Sequence, residues 1–186
     1  MKKIDITFLP SIKGNYFDDD LIIDWCKKLN DSFDFINTYI PKNAEEAKIF
    51  LKKSNAAYGA LTKDLIGHCN NVQWLQAPQA APPPDFYYDE LINHPMIVTN
   101  FRGIYNDHIS HHILAMILSF SKSLNLYIHQ QSKRMWKPIT SNIGSTRYLP
   151  EMKIMIIGLG GIGDETARLC NYFGSEIIGV DERRQD

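Results

Sequence analysis

Lys153-Ile154-Met155-Ile156-Ile157-Gly158-Leu159-Gly160-Gly161-Ile162-Gly163 is the stretch whose reading decides the fold. Met152 to Ile157 is apolar except for Lys153 at its entrance, which predicts a strand covered on both faces. Gly158 to Gly163 then spells G-x-G-x-x-G. Ala167, Leu169, Cys170 and Phe173 follow at helical spacing, and Gly174 can end that helix. A second apolar strand, Glu176 to Val180, runs into Asp181, 18 residues after Gly163. Each glycine has a physical task. Gly158 permits a tight strand-to-helix turn, Gly160 lets a pyrophosphate approach the backbone without a Cβ in the way, and Gly163 lets helix and strand lie close. The phosphates would face the positive end of the helix and its free N–H groups. Asp181 could accept hydrogen bonds from both hydroxyls of an adenosine ribose. A lone glycine pattern is a weak signal. Strand, motif, helix, second strand and terminal acid in this order give a Rossmann β-α-β unit that binds a nicotinamide dinucleotide.

Asp181 also bears on which dinucleotide. A 2′-phosphate about 4 Å from this carboxylate would be repelled by at most about 4 kcal/mol at an effective dielectric of about 20. Arg183 and Arg184 argue the other way, because arginines accept a 2′-phosphate. NAD is expected in preference to NADP.

Upstream, strands alternate with helices. Ile4 to Leu9 reads as a strand closed by Pro10. Asp18, Asp19 and Asp20 offer caps for a helix carrying Leu21, Ile22, Trp25 and Leu29. Phe33 to Ile40 is a second strand, and Asn43 caps a helix containing Ala47, Ile49, Phe50 and Leu51. Ala56 to Leu61, Val72 to Gln76 and Met96 to Thr99 are further strands, with a short helix from Lys63 to His68. Strands separated by helices imply parallel pairing through right-handed crossovers. Ala77 to Asp85, with Pro82, Pro83 and Pro84 in a row, is a stiff loop. It is either a rigid surface connection or a ligand loop beyond the carboxyl end of a parallel strand. Asn106 or Asp107 can cap a long helix running to about Trp136, with Ile109, Ile113, Met116, Ile117, Phe120, Leu124 and Tyr127 on one broad face. Such a helix could link two domains or build a dimer interface. Lys137 to Tyr148, broken by Pro138 and Gly144, reads as a loop.

Bulk properties fit a globular protein. The 186 residues are 44% hydrophobic and 22% charged, enough for one domain or one and a half. With 20 basic and 21 acidic residues the net charge is -1, so no basic excess points to nucleic acid. Cys26, Cys69 and Cys170 are far apart and lack C-x-x-C spacing, which disfavours zinc and redox-dithiol sites and fits a reducing cytoplasm. The basic start is not followed by a signal-peptide core, and the apolar runs are too short to span a bilayer. His108, His111 and His112 can share one helix face, but no further ligand and orienting shell accompany them. They read as histidines at a helix start. His68 beside Cys69 reads as a helix end, not as a Cys-His nucleophile pair.

The ordered set of motifs resembles the D-isomer-specific 2-hydroxyacid dehydrogenases. The matching stretches are Val72-Gln73-Trp74-Leu75-Gln76-Ala77-Pro78, Val98 through Ile109, the long helix through Gln131 and Trp136, Leu149-Pro150, the glycine motif and Asp181. The resemblance implies a flavodoxin-like substrate domain over residues 1–100 and an incomplete NAD-binding Rossmann domain over 101–186. It implies hydride transfer between NAD(H) and a 2-hydroxy or 2-oxo acid, in the cytoplasm, and a homodimer through the long helix 107–136. By position, Gly158, Gly160, Gly161, Ile162 and Gly163 would hold the phosphates and Asp181 the ribose. The backbone amides of Gln79, Ala80 and Ala81 would hold the substrate carboxylate. The family pattern has a Gly-Val-Asp turn here, whereas this chain reads Ala81-Pro82-Pro83-Pro84-Asp85, and prolines donate no hydrogen bond. The family's carboxylate-clamping Arg, and its His with a Glu or Asp partner, fall beyond the five residues that follow Asp181. No catalytic residue is therefore assigned in this chain, and these residues alone are expected to be inactive. The alternative is a non-catalytic dinucleotide-binding or dimerising regulatory module.

Overall fold

The computed structural model describes residues 3–13, 15–16, 20–139 and 146–183. The chain divides into two compact units, Met1–Arg102 and Gly103–Asp186.

The first unit follows the alternation read from the sequence. Its elements are β1 (Ile4–Phe8), α1 (Asp20–Ser32), β2 (Ile36–Tyr39), α2 (Ala44–Lys53), β3 (Ala56–Tyr58), α3 (Lys63–Ile66), β4 (Trp74–Gln76), α4 (Asp89–Ile92) and β5 (Ile97–Thr99). The expected caps at Asp18 and Asp19 lie outside the described residues. The sheet order is β2-β1-β3-β4-β5, every pair parallel, with Ile4 opposite Ile36, Ile6 opposite Ala56, Ala56 opposite Trp74 and Trp74 opposite Ile97. This is the flavodoxin-like order, and the α/β fold class is as expected. The strands are shorter than the apolar runs suggested: Phe33 to Phe35 precede β2, and Gly59 to Leu61 follow β3.

Local chemistry accounts for the elements. Asn43 Oδ1 accepts from the Glu46 N–H at 2.9 Å, and the Glu46 carboxylate reaches back to the Lys42 N–H at 2.9 Å, so α2 begins with two satisfied donors. Lys52 and Lys53 stand in its last turn, where the helix dipole favours positive charge. Alternation along the strands then feeds two cores. Leu9, Ala57 and Leu75 meet Leu51, Leu65 and Leu91 from α2, α3 and α4, while Phe8 meets Ile22 and Cys26 from α1. One hydroxyl pair sits inside this packing, Thr7 Oγ1 with Ser54 Oγ at 2.7 Å, so both groups are satisfied.

The second unit holds α5 (Asn106–Ser121), α6 (Leu124–Ser132), β6 (Lys153–Ile157), α7 (Gly161–Tyr172) and β7 (Glu176–Val180). The single long helix expected to Trp136 is two helices. Ser123 adopts φ 55°, a left-handed conformation that breaks the ladder. The Ser121 hydroxyl donates to the Leu118 carbonyl at 3.1 Å, and the Ser123 carbonyl accepts from the Leu126 and Tyr127 N–H groups to restart the turn. Short serine side chains compete for backbone groups in this way, and the apolar periodicity does not reveal it. The helix also begins without a side-chain cap: Tyr105 precedes it and Asn106 is its first residue. Of the expected loop, Gly144 lies outside the described residues. The β6–β7 pair is parallel, from Lys153 opposite Glu176 to Ile157 opposite Val180.

The prediction that both faces of β6 are covered fails in this chain. Ile154 and Ile156 are half-buried, but Met155 is 60% and Ile157 81% exposed. A continuous apolar run reports what a strand needs on both sides, and among the described residues of the second unit α7 covers only one of them.

Candidate functional site

The β6-to-α7 connection is built by three glycines with different duties. Gly158 takes φ +94°, a conformation that L side chains rarely adopt, and turns the chain off the strand. A Cβ at Gly163 would run into the Gly158 carbonyl oxygen, so only glycine lets α7 lie this close to the turn. A Cβ at Gly160 would meet no atom within 4 Å, which leaves open space in front of the backbone. Gly160 is the residue preceding α7 and makes no side-chain cap. Among the described residues, the N–H groups of Gly161, Ile162 and Gly163 have no protein acceptor. Asp164 is the first to close a helical bond, to the Gly160 carbonyl at 2.9 Å. Three unpaired donors at the positive end of a 12-residue helix form a place for an anion.

Asp181 lies against this turn. Its Oδ2 accepts from the Leu159 N–H at 2.7 Å and its Oδ1 from the Arg183 N–H at 3.0 Å, with the Arg183 Nε 3.6 Å away. The side chain is only 7% exposed. The backbone donors of Arg183 and Leu159, then the Arg183 guanidinium, hold the carboxyl below the usual carboxylate range. Arg184 lies outside the described residues. The far end of α7 is fixed by a glycine turn: Gly174, at φ +87°, donates to the Asn171 carbonyl and Ser175 to the Cys170 carbonyl, the two bonds of a Schellman motif.

Two site-building features were not read from the sequence. The Leu159 side chain fills the position that a Cβ on Gly179 would take, which explains a lone glycine in the strand Ile177-Ile178-Gly179-Val180. The Asn106 carboxamide, from the first turn of α5, lies where a side chain on Gly161 would be. An unrequired third glycine inside G-L-G-G-I-G was the available signal.

In the first unit, Gln79, Ala80 and Ala81 follow the carboxyl end of β4, with Gln79 and Ala81 exposed and Ala80 half-buried. Their N–H groups donate to no acceptor among the described residues. The prolines after them lead into a 3-10 turn, Pro84–Phe86, anchored by the buried Phe86. Lys13 Nζ binds Asp85 Oδ2 at 2.8 Å at the end of this loop.

His108, His111 and His112 are exposed on α5, and no group of three or more metal-binding side chains occurs among the described residues. Cys69 is fully buried, donates weakly to the Leu65 carbonyl at 3.6 Å, and has its thiol pushed up to about 12 by burial. It is a packing group with no thiolate character. Among the described residues, no helix is long and apolar enough to cross a membrane.

Fold and site define a class: a flavodoxin-like α/β unit followed by a β-α-β unit with a Rossmann-type glycine turn. Residues 114–186 match the family model described as "D-isomer specific 2-hydroxyacid dehydrogenase, NAD binding domain". A D-lactate dehydrogenase of Streptococcus pyogenes serotype M1 is 25% identical over 150 residues, 78% of this chain and 44% of that protein. A solved D-isomer specific 2-hydroxyacid dehydrogenase family protein from Aeromonas salmonicida superposes at TM-score 0.75 with 21% identity, over 100% of this chain and 56% of its own. An acyclic imino acid reductase solved with NADPH and D-Arg superposes at TM-score 0.67 with 18% identity, over 98% and 58%. The chain thus spans about half the length of these relatives. The resemblance read from the sequence is borne out: this chain is similar to the D-isomer-specific 2-hydroxyacid dehydrogenases, and residues 114–186 match their NAD-binding domain.

Proposed function

We propose that the second unit opens a nicotinamide-dinucleotide site, with NAD preferred over NADP, in a dehydrogenase of the D-2-hydroxyacid type. One observation carries this reading: three unpaired N–H groups at the start of α7 stand beside a carboxylate seated on the Leu159 N–H. Gly158, Gly160, Gly161, Ile162 and Gly163 would hold the pyrophosphate. Asp181 would hold the adenosine ribose. Each of its oxygens has two lone pairs, and the backbone donors of Leu159 and Arg183 leave capacity for a sugar hydroxyl. The buried carboxylate also disfavours a 2′-phosphate, and its Arg183 neighbour offsets that only in part. When bound, the nicotinamide supplies or accepts the hydride.

Residues 1–100 would form the substrate unit. The unpaired amides of Gln79, Ala80 and Ala81 would take the carboxylate of a small 2-hydroxy or 2-oxo acid. The Pro82-Pro83-Pro84 run, which donates nothing, holds that loop stiff. The segment 107–136 would build a homodimer, and the protein would work in the cytoplasm. A non-catalytic dinucleotide-binding module makes the same affinity prediction. The open apolar face of β6 and β7 favours the dehydrogenase reading, since such a face is normally covered in a complete sheet.

Calorimetric titration of the 186-residue protein with NADH and NADPH tests this. NADH should bind more tightly, and Asp181→Ala should remove most of that preference. A folded protein that binds neither dinucleotide overturns the reading. Residues 1–186 alone should not oxidise NADH with a 2-oxo acid, and turnover at enzymatic rates would refute their proposed inactivity. A monomer mass in sedimentation would refute the dimer.

A further inference from the structure

We propose that Gln76 is the positioning residue of the substrate loop, keyed by Thr99 and Trp74 and acting on the peptide that leads into Gln79, Ala80 and Ala81. The inference deepens the substrate reading of that loop and rests on it. Three side chains at the carboxyl ends of β4 and β5 form one directed chain of hydrogen bonds. Trp74 Nε1 donates to Thr99 Oγ1 at 2.7 Å, Thr99 Oγ1 donates to Gln76 Oε1 at 2.6 Å, and Gln76 Nε2 donates to the Ala77 carbonyl at 3.0 Å. Register explains the meeting: Trp74 lies opposite Ile97 and Gln76 opposite Thr99, and alternate residues of a strand share a face. Each member fixes the next. The indole N–H can only donate, so the Thr99 hydroxyl accepts from it and spends its own proton on Gln76. With its oxygen engaged there, the Gln76 amide turns its NH2 to Ala77, and a flipped amide would set oxygen against the Ala77 oxygen.

Ala77 is the residue at which the chain leaves the sheet. It is fully buried, and its N–H still donates to the Thr99 carbonyl at 2.8 Å. Its carbonyl receives no backbone donor among the described residues, and Gln76 Nε2 supplies the missing bond. That carbonyl belongs to the peptide bond with Pro78, whose planar amide and fixed φ leave little freedom before Gln79. Anchoring one oxygen therefore sets the direction in which the backbone enters the loop. The far end is held as well, by the buried Phe86 and by Lys13 on Asp85. Between these anchors the N–H groups of Gln79, Ala80 and Ala81 meet no protein acceptor, so their aim is set by the ends of the loop. Donors aimed beforehand lose less freedom when a carboxylate arrives. The sheet itself has little need of this chain of bonds, since Trp74 and Thr99 are exposed and their truncation removes little packing.

The test titrates the 186-residue protein with pyruvate and follows the amide NMR shifts of Gln79, Ala80 and Ala81, with the Trp74 indole N–H signal reporting the chain of bonds. Gln76→Leu removes both bonds of the amide and should weaken pyruvate about fivefold, the net worth of one or two hydrogen bonds. Thr99→Val should shift the indole signal and weaken pyruvate to a similar extent. Thr99→Ser, which keeps the hydroxyl, should restore the indole signal and bring pyruvate affinity within about twofold of the parent. Thermal unfolding of the variants should stay near the parent, and if Gln76→Leu does not fold, the two Thr99 variants decide alone. Pyruvate affinity within about twofold of the parent in Gln76→Leu or Thr99→Val overturns the proposal, as does a loss in Thr99→Ser equal to that in Thr99→Val. If the loop amides of the folded parent do not respond to pyruvate, the substrate reading falls and this inference with it, so the two failures are read separately.

Discussion

In the first unit, β4 carries Leu75 with none of its surface exposed, between β3 and β5 and under the helices that follow β2 and β3. In the second, β6 carries Ile157 with 81% of its surface exposed, paired on one side with β7 alone. Both strands are short, parallel and apolar, so local sequence does not separate them. The difference lies in what surrounds them. Five strands with helices against both faces make a core, whereas two strands with one helix leave the apolar side of β6 and β7 open. An apolar strand therefore states a requirement, and only the rest of the sheet shows whether it is met.

The largest expected effect breaks that comparison directly. Leu75→Ala should cost about 2–5 kcal/mol, because it empties a filled position. Ile157→Ala should change stability by less than about 0.5 kcal/mol, because the side chain it truncates is already in water. Urea unfolding monitored by circular dichroism gives both numbers. A large loss at Ile157 would mean that its face is covered in solution, and the contrast between the units would disappear.

A second pair of substitutions separates building the turn from using it. Gly163→Ala drives a methyl into the Gly158 carbonyl oxygen and should destabilise the second unit by about 1–3 kcal/mol, with loss of NADH affinity. Gly160→Ala meets no atom within 4 Å and should leave the unfolding midpoint nearly unchanged while still weakening NADH, because the methyl stands where the phosphates would approach. Equal effects at the two positions, in stability and in binding alike, would show that the open space at Gly160 is not a binding surface.

The sequence disclosed most of this because turn chemistry is local. Asn43, Gly158, Gly163 and Gly174 stand where a cap, a positive φ or a close approach is required, and each needs only its near neighbours to be understood. The alternation of strand and helix was legible for the same reason, and with it the parallel sheet. What stayed hidden depends on partners far along the chain. Ser123 breaks a helix whose apolar spacing runs straight through it, because the left-handed turn is settled by hydroxyl and carbonyl bonds that periodicity does not encode. Asn106 reads as a cap and instead packs on Gly161, 55 residues later in the chain. Asp181 was placed at the strand end by spacing, but its seat on the Leu159 N–H follows from the register of β6 against β7.

The smallest effect sharpens the comparison by pH, since Cys69 in the first unit and Asp181 in the second are shifted in opposite directions. Cys69 in the first unit is neutral when folded, its thiol raised to about 12, so its stabilisation persists through neutral pH and fades only as alkali ionises the unfolded chain. Asp181 in the second is ionised when folded and lowered from 3.8, so its contribution is present at neutral pH and is lost as acid protonates it below that value. Asp181→Asn keeps an acceptor for the Leu159 N–H but removes the charge that both backbone donors and Arg183 favour. It should lower the stability of the second unit at pH 7, and that loss should shrink as the pH falls from 7 into the acid range where the parent carboxyl takes up its proton. The readout is the difference in unfolding free energy between parent and variant across that range, followed by NMR signals of the second unit. A difference that does not shrink toward acid pH would show that the carboxylate's charge does not hold the glycine turn, and that the short Leu159 contact is a consequence of the strand register alone.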